Sequence, residues 1–237
     1  MPSWVIPEVE TISAEVSGTD ARFPVHRIYC VGRNYADHAR EMGMSEQDIA
    51  KQREGTPTFF MKPASALAQN GASVRYPSAT NSLHFEAELV VALQSGGRDI
   101  SVASALSHVY GYAAGNDLTR RDLQAACKKS GLPWDIAKVF EQAAVLGPIA
   151  AMPGLASPVG EIALWVNDVR RQHASLADMV WPVAEIISLL SGFFTLRAGD
   201  LIYTGTPAGV DALVPGDQIR IAVAGLPELA HSVVAAD

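Results

Sequence analysis

The chain has 237 residues, with 18 Lys and Arg against 25 Asp and Glu, so its formal net charge is −7 with neutral histidines. This acidic balance argues against a protein that binds nucleic acid through a basic surface. With 49% hydrophobic and 18% charged residues, the chain can bury a sizeable core as a single globular domain. It contains no apolar run long enough for a membrane span and does not begin like a signal peptide, so we expect a cytoplasmic protein. We expect Cys30 and Cys127 to be buried thiols.

The N-terminal part is predicted to contain an irregular leader, a buried strand and a polar segment. Residues 1–24 are expected to be irregular because prolines and glycines interrupt every periodic pattern. The single domain, residues 25–237, then opens with a strand at HRIYCVG. Asn34 is expected to cap a helix that ends at Gly43. The polar segment that follows has almost no apolar face, so we interpret residues 34–56 as a surface lid over a site.

The rest of the chain favours strands over helices. PTFFMKP, SVRYP, LHFEAELVVAL and VYGYAAGND are predicted strands, followed by a helix over RRDLQAACKKS with a capping box between Thr119 and Asp122. A hairpin is expected to turn at Asn167 and Asp168, and Pro182 to begin the amphipathic helix WPVAEIISLLSGFF. Because strand signals come in runs and do not alternate with helices, we predict a β-rich α+β fold with a mixed, mostly antiparallel sheet.

Two glutamates stand out in the segment HFEAELVV. Glu86 and Glu88 are two residues apart, and in a strand this spacing places both side chains on one face. Two neighbouring carboxylates are costly to bury unless a cation neutralises them, and Asp117, at the end of another predicted strand, offers a third. Three carboxylates suit Mg²⁺, Mn²⁺ or Ca²⁺. The alternative is that both glutamates lie on a solvent-facing side of the sheet.

Further candidates are a histidine–glutamate pair and two isolated lysines. His38 and Glu41 are three residues apart on the predicted helix and therefore share a face. On that face the Glu41 carboxylate would orient the His38 imidazole as a base. Alternatively, the two residues form a solvated surface pair. Lys62 and Lys138 each lie inside an apolar run, so each must either extend to solvent or meet an anion.

The glycine-rich segment TGTPAGV is the last candidate. Its backbone amides and the hydroxyls of Thr204 and Thr206 could hold a carboxylate or a keto oxygen, and a plain turn is the equal alternative.

Six blocks together resemble the fumarylacetoacetate hydrolase superfamily over about residues 26–235. They are VGRNYADHAREMG, FFMKP, HFEAELVV, GYAAGNDLTRRDLQ, GLPWDIAKVF and GDLIYTGTPAGV, in this order. The resemblance implies a roll of mixed β-sheets with a few helices, usually a homodimer. It also implies a Mg²⁺ or Mn²⁺ site on Glu86, Glu88 and Asp117.

The resemblance further implies roles for the remaining candidates. His38, Glu41 and Lys138 match catalytic positions of the family, and its substrate contacts match Lys62, Arg121, Gln124 and Thr206. The implied reaction is cleavage of a carbon–carbon bond in a small anionic keto acid, an acylpyruvate, with fumarylpyruvate as the first expectation. Three alternatives stay open: oxaloacetate decarboxylation, isomerisation of a diketo acid and non-catalytic dicarboxylate binding. The residue that contacts a distal carboxylate of the substrate also stays open, with Arg33, Lys51 and Arg53 as candidates.

Overall fold

The structure is a computed structural model, and it describes residues 4–154 and 156–236. These residues form 18 strands and six α-helices, apart from short 3-10 turns. The strands are β1 (Ser13–Glu15), β2 (Arg22–Pro24), β3 (Arg27–Gly32), β4 (Thr58–Pro63), β5 (Leu67–Gln69), β6 (Ser73–Arg75), β7 (Leu83–His84), β8 (Ala87–Leu93), β9 (Val109–Asp117), β10 (Thr119–Arg120), β11 (Ala144–Leu146), β12 (Ala150–Ala151), β13 (Glu161–Val166), β14 (Val169–Ser175), β15 (Asp200–Tyr203), β16 (Ala212–Leu213), β17 (Gln218–Val223) and β18 (Leu229–Val234). The helices are α1 (Ala36–Glu41), α2 (Glu46–Ala50), α3 (Val102–Ala105), α4 (Arg121–Ser130), α5 (Asp135–Lys138) and α6 (Val183–Phe193).

Two large sheets dominate the fold. The first has eight strands in the order β4-β3-β15-β8-β9-β11-β5, with β12 also paired to β9, and the second has five in the order β14-β13-β17-β18-β6. In the described residues, the pairs β3/β15, β5/β11 and β6/β18 are parallel and the other strand pairs are antiparallel. The predicted β-rich α+β fold with a mixed, mostly antiparallel sheet is therefore confirmed.

Strand β8 is buried on both faces, which explains why its sequence AELVVAL is apolar almost throughout. Leu89 and Val91 pack in the larger core with the second sheet and α6. Val90 and Ala92 point to the opposite face and pack in a second apolar cluster. By the period of two, Glu88 belongs to the face of Val90 and Ala92. This face is covered by other parts of the chain and is not open to solvent.

The N-terminal segment supplies part of that cover and differs from the expected irregular leader. Strands β1 and β2 form an antiparallel hairpin, and Ala14 and Phe23 are buried in the second cluster beside Val90 and Ala92. Residues 13–24 are therefore part of the fold. The two strands have three residues each, too few for a periodic pattern, and are stabilised by contact with the large sheet.

Two predicted helix caps are wrong. Asn34 does not cap α1; its fully buried amide donates to the backbone carbonyls of Trp181 and Thr204 and accepts a hydrogen bond from the Trp181 N–H. Thr119 does not cap α4 either, because it lies in β10 and no side chain caps that helix. Asn34 bonds to distant segments, whereas the Thr119 hydroxyl donates to the Asp117 carbonyl and accepts a hydrogen bond from Lys138.

Other local predictions are confirmed. Asn167 and Asp168 form the turn between β13 and β14, both with positive φ, and α6 begins directly after Pro182. The polar helix α2 buries none of its residues, as its pattern indicates. Cys30 and Cys127 are free, buried thiols. Within the described part of the chain, no helix has the length and apolar character that a bilayer span requires.

Candidate active site

The three predicted carboxylates meet at the junction of two neighbouring strands. Glu86 directly precedes β8, Glu88 lies within it, and Asp117 ends β9, the antiparallel neighbour of β8. One carboxylate oxygen from each lies within 4.8 Å of the other two. Glu86 is 5% exposed and Glu88 1% exposed, so the solvent-facing alternative is wrong.

Lys138 joins two of these carboxylates. Its Nζ lies 2.8 Å from Glu86 Oε2, 2.7 Å from Asp117 Oδ2 and 2.7 Å from the Thr119 hydroxyl, so all three ammonium protons are donated. Burial would lower the pKa of Lys138, but the Asp117 and Glu86 carboxylates raise it above its ordinary value. Lys138 therefore meets an anion and does not extend to solvent, the two alternatives that its apolar surroundings left open.

Lys62 also meets an anion, but it lies behind the site. Its buried Nζ donates to the backbone carbonyls of Leu118, Lys138 and Ala143. It lies 2.8 Å from Asp117 Oδ1 without a fourth proton to donate, so that oxygen accepts no hydrogen bond from a described residue. Lys62 does not line the cavity, whereas it was predicted to contact the substrate. Its ammonium instead stabilises the Asp117 carboxylate electrostatically.

Arg121, on the first turn of α4, adds a third cation. Its guanidinium donates hydrogen bonds to Glu86 and, over 2.6 Å, to Gln124 Oε1. Burial by itself would raise the pKa of Glu86, but the cations Lys138 and Arg121 hold it well below its ordinary value.

Glu88 has a different environment. No basic side chain in the described residues donates to it, and its partner is the Gly205 backbone N–H at 2.7 Å. Burial, with the Asp117 and Glu86 carboxylates nearby, raises the pKa of Glu88 well above its ordinary value. The acidic cluster therefore contains one carboxylate that lacks a cation.

The predicted histidine–glutamate pair is present on α1. His38 Nδ1 lies 3.1 Å from Glu41 Oε2, and the second oxygen of Glu41 accepts the Gly209 backbone N–H at 3.0 Å. Burial would raise the pKa of Glu41, but the hydrogen bonds from His38 and Gly209 lower it overall. His38 is only 5% exposed and faces the cavity, so the pair is not a solvated surface pair.

The segment TGTPAGV, residues 204–210, connects the two groups. The backbone N–H of Gly205 donates to Glu88, and the backbone N–H of Gly209 donates to Glu41. The loop amides that were predicted to bind an anion therefore bind carboxylates of the chain itself. Both glycines have positive φ, +100° and +97°, a conformation that favours glycine. The loop therefore fixes the acidic cluster and the histidine pair relative to each other.

Two buried amides that the sequence analysis missed support this arrangement. Gln172 on β14 donates to the Thr206 hydroxyl and the Pro207 carbonyl, and it accepts the Ala87 N–H. Asn116 accepts the Glu86 N–H, and its Nδ2 lies 2.9 Å from His231 Nε2. Asn116 has a sequence signal, a lone amide in an apolar strand beside Asp117, whereas Gln172 lies in a polar run and has none.

One cavity brings most of these side chains together. Its lining includes seven predicted site residues, and Glu41, Asp117 and Lys62 are not part of the lining. Those lining residues are His38, Glu86, Glu88, Arg121, Gln124, Lys138 and Thr206. Four further residues that were not predicted from the sequence also line the cavity: Met42, Phe60, Lys128 and Trp134.

The acidic cluster fits a hard divalent cation. All its donors are carboxylate oxygens, which Mg²⁺ and Mn²⁺ prefer. Asp117 Oδ1 is buried without a hydrogen bond, and Glu88 has no partner cation in the described residues. A bound cation would satisfy both.

Comparison with known proteins identifies the family of this site. Residues 27–234 match the family described as Fumarylacetoacetate (FAA) hydrolase C-terminal. The chain belongs to the fumarylacetoacetate hydrolase family. The resemblance inferred from the six sequence blocks is thereby confirmed, and the chain is an enzyme of this family, which sets aside the non-catalytic binder.

Individual members of the fumarylacetoacetate hydrolase family match most of the chain. Fumarylpyruvate hydrolase of a Ralstonia species is 43% identical over 175 residues, 74% of this chain and 91% of the relative. Mitochondrial oxaloacetate tautomerase FAHD1 of Bos taurus is 39% identical over 208 residues, 87% of this chain and 90% of the relative. The two relatives have similar identity, so they show the family and leave the reaction open.

A solved structure of the family agrees with the fold. Fumarylpyruvate hydrolase of Pseudomonas aeruginosa, in complex with Mn²⁺ and pyruvate, superposes with a TM-score of 0.92 at 42% identity, covering 98% of this chain and all of that one. That relative thus binds a divalent cation and a keto acid, the two ligands that the resemblance implies for this chain.

Proposed function

We propose that the chain is a metal-dependent acylpyruvate hydrolase that cleaves fumarylpyruvate to fumarate and pyruvate. The observation that carries the proposal is that His38, held by Glu41, lines the same cavity as Glu86 and Glu88. A base beside a carboxylate cluster is what hydrolysis of a chelating keto acid needs. The fumarylpyruvate hydrolases among the relatives support the same substrate.

Glu86, Glu88 and Asp117 would hold Mg²⁺ or Mn²⁺. Such a cation, when bound, supplies Lewis-acid polarisation to the carboxylate and 2-keto oxygen of an acylpyruvate. Arg121 and Gln124 line the cavity and form a hydrogen bond with each other, so they can position the keto acid. The Thr206 hydroxyl, which accepts a hydrogen bond from Gln172, lines the same cavity.

His38 acts as the general base in this proposal. It accepts a proton from water, and the water oxygen bonds to C4 of the substrate. The C3–C4 bond then breaks, its electron pair stays on C3 as the enolate of pyruvate, and C4 leaves as the carboxyl of fumarate. The imidazolium returns its proton to C3, giving pyruvate. Glu41, hydrogen-bonded to Nδ1, orients the ring so that Nε2 can face the water.

Lys138 stabilises negative charge and is not the proton donor. All three of its ammonium protons are engaged, and the pKa of Lys138 is raised by Asp117 and Glu86. A lysine that stays charged offers electrostatic stabilisation where the enolate develops.

Oxaloacetate tautomerisation is the second candidate, because the Bos taurus tautomerase matches 87% of the chain at 39% identity. This reaction moves a proton between C3 and the keto oxygen and needs a base but no attacking water. His38 could serve either reaction, so the substrate assay has to separate them.

The test incubates the purified protein and Mg²⁺ or Mn²⁺ with fumarylpyruvate, acetylpyruvate and oxaloacetate, while enol absorbance and pyruvate release are followed. The proposal predicts release of equal amounts of fumarate and pyruvate from fumarylpyruvate. Faster loss of enol oxaloacetate without pyruvate release, together with intact fumarylpyruvate, would establish the tautomerase instead. Pyruvate and CO₂ from oxaloacetate would indicate the decarboxylase.

A further inference from the structure

Helix α4 presents three polar side chains to the cavity at helical spacing. Arg121, Gln124 and Lys128 stand at positions i, i+3 and i+7, which lie on one helix face. Arg121 contacts Glu86 at the acidic cluster. Because α-helices rise 1.5 Å per residue, Lys128 lies about 10 Å further along the helix axis. The cavity wall therefore runs from the acidic cluster to a second cationic position.

In the part of the chain that the structure describes, Lys128 has no carboxylate partner. Its one specific contact among the described residues is with Trp134, with Nζ 5.2 Å from the ring centroid. Burial, with Arg33 and Arg121 nearby, lowers the pKa of Lys128 to about 8. The Glu86 carboxylate acts in the opposite direction, but no carboxylate in the described residues forms an ion pair with this ammonium.

Arg33 lies in the same situation. It follows β3 with φ +61°, an unusual value for a residue with a side chain, and it lines the cavity with Lys128. Its Nε is buried without a hydrogen-bond partner, and its guanidinium forms no ion pair in the part of the chain that the structure describes. Two unpaired cations that line one cavity indicate an anion site.

Two other cations considered for this role lie elsewhere. Arg53 donates to the Val180 carbonyl and pairs with Glu185 at 2.7 Å. Lys51 does not line the cavity. Arg33 and Lys128 are therefore the basic lining residues that form no ion pair with the described residues.

We propose that Lys128 and Arg33 form a subsite for a carboxylate at the acyl end of the substrate, and that they select acylpyruvates with an anionic acyl group over neutral ones. The inference rests on the proposed function and specifies its substrate class. The aromatic ring of Trp134, which the Lys128 ammonium contacts, gives this subsite an apolar wall.

The first test compares kcat/KM for fumarylpyruvate and acetylpyruvate. In Lys128→Met and Arg33→Met, kcat/KM for fumarylpyruvate should fall about 10- to 100-fold, while the value for acetylpyruvate stays within about threefold. Lys128→Arg should retain most of the preference. Lys129→Met, an exposed neighbour outside the cavity lining, is the matched control and should change neither value.

A second test does not depend on turnover. Fumarate, a dianion, and crotonate, its monoanionic analogue, are titrated calorimetrically into the Mg²⁺-loaded protein. The wild type should bind fumarate at least about tenfold more tightly, and Lys128→Met should lose this preference. Equal affinity of the wild type for the two anions, or equal losses of kcat/KM for both substrates, would overturn the subsite. Failure to hydrolyse any acylpyruvate, with the fumarate preference intact, would overturn the proposed reaction and leave the anion subsite standing.

Discussion

The backbone N–H of Gly205 donates a hydrogen bond of 2.7 Å to Oε2 of Glu88. Among the described residues it is the one hydrogen-bond donor to this buried carboxylate, which has no basic partner there. Because the same loop also holds Glu41 through Gly209, the positions of the acidic cluster and of the base depend on its backbone.

Replacing Gly205 by alanine should therefore disturb both stability and metal binding. Its φ of +100° disfavours a side chain, and an added Cβ would lie 2.7 Å from the Asn34 Cβ. We expect Gly205→Ala to lower the free energy of unfolding by about 2 kcal/mol or more and to weaken Mn²⁺ binding about tenfold. Denaturant unfolding and metal titration measure the two effects. Gly216→Ala, with φ +103° but nothing within 4 Å, is the matched control and should show the backbone strain alone.

Metal binding should stabilise the protein through Asp117. Mn²⁺ at about 100 times its dissociation constant should raise the free energy of unfolding by about 2.7 kcal/mol, an effect that EDTA removes. Asp117→Asn should abolish this stabilisation, whereas Asp99→Asn, at an exposed carboxylate, should retain it. A metal-induced rise in Tm that persists in Asp117→Asn would place the cation elsewhere.

The histidine pair should govern turnover and not binding. His38→Gln should reduce kcat on acylpyruvates about 100-fold or more, because it removes the base. Glu41→Gln should reduce kcat by a smaller factor, since the imidazole stays but loses its orienting carboxylate. Pyruvate binding, measured by calorimetry, should stay within about threefold in both variants.

Glu46→Gln is the control for these variants, because Glu46 lies in the same segment but pairs at the surface with Arg40. It should leave kcat unchanged. Full activity of His38→Gln on every acylpyruvate tested would remove the pair from the mechanism.

His231 should make stability depend on pH. Burial lowers its pKa to about 4, so the native state keeps the ring neutral, with Nε2 facing the Asn116 amide. The unfolded chain binds a proton near the ordinary value of about 6.5, so this contribution is complete above pH 6.5 and is lost as the pH falls towards 4.

Denaturant unfolding between pH 8 and pH 4 tests this sign. The wild type should lose up to about 3 kcal/mol more than His231→Gln over this range. His173→Gln, at a partly exposed histidine that contacts Glu161, should keep the wild-type slope. The same slope in the wild type and in His231→Gln would contradict the prediction.

Much of the site could be predicted because its chemistry is visible in short segments. A strand period of two places Glu86 and Glu88 together, and a helix spacing of three pairs His38 with Glu41. These are local relationships, and in the structure both pairs meet, although Glu86 lies in the break between β7 and β8 and only Glu88 lies in a strand. The residue pattern also singles out Asp117 and Lys138, and the family resemblance adds their roles. In the structure Lys138 joins Glu86 to Asp117.

The sequence by itself determined the β-rich fold class, the local pairs and the carboxylate chemistry, since each depends on neighbouring residues. Only the tertiary structure decided that Lys62 lies behind Asp117, that Asn34 ties distant segments together and that the N-terminal hairpin covers the large sheet. It also decided which cations pair with a carboxylate: Arg121 pairs with Glu86, whereas Lys128 pairs with none of the described carboxylates. The physical reason is that burial and charge pairing depend on which distant segments meet, and no local periodicity encodes that.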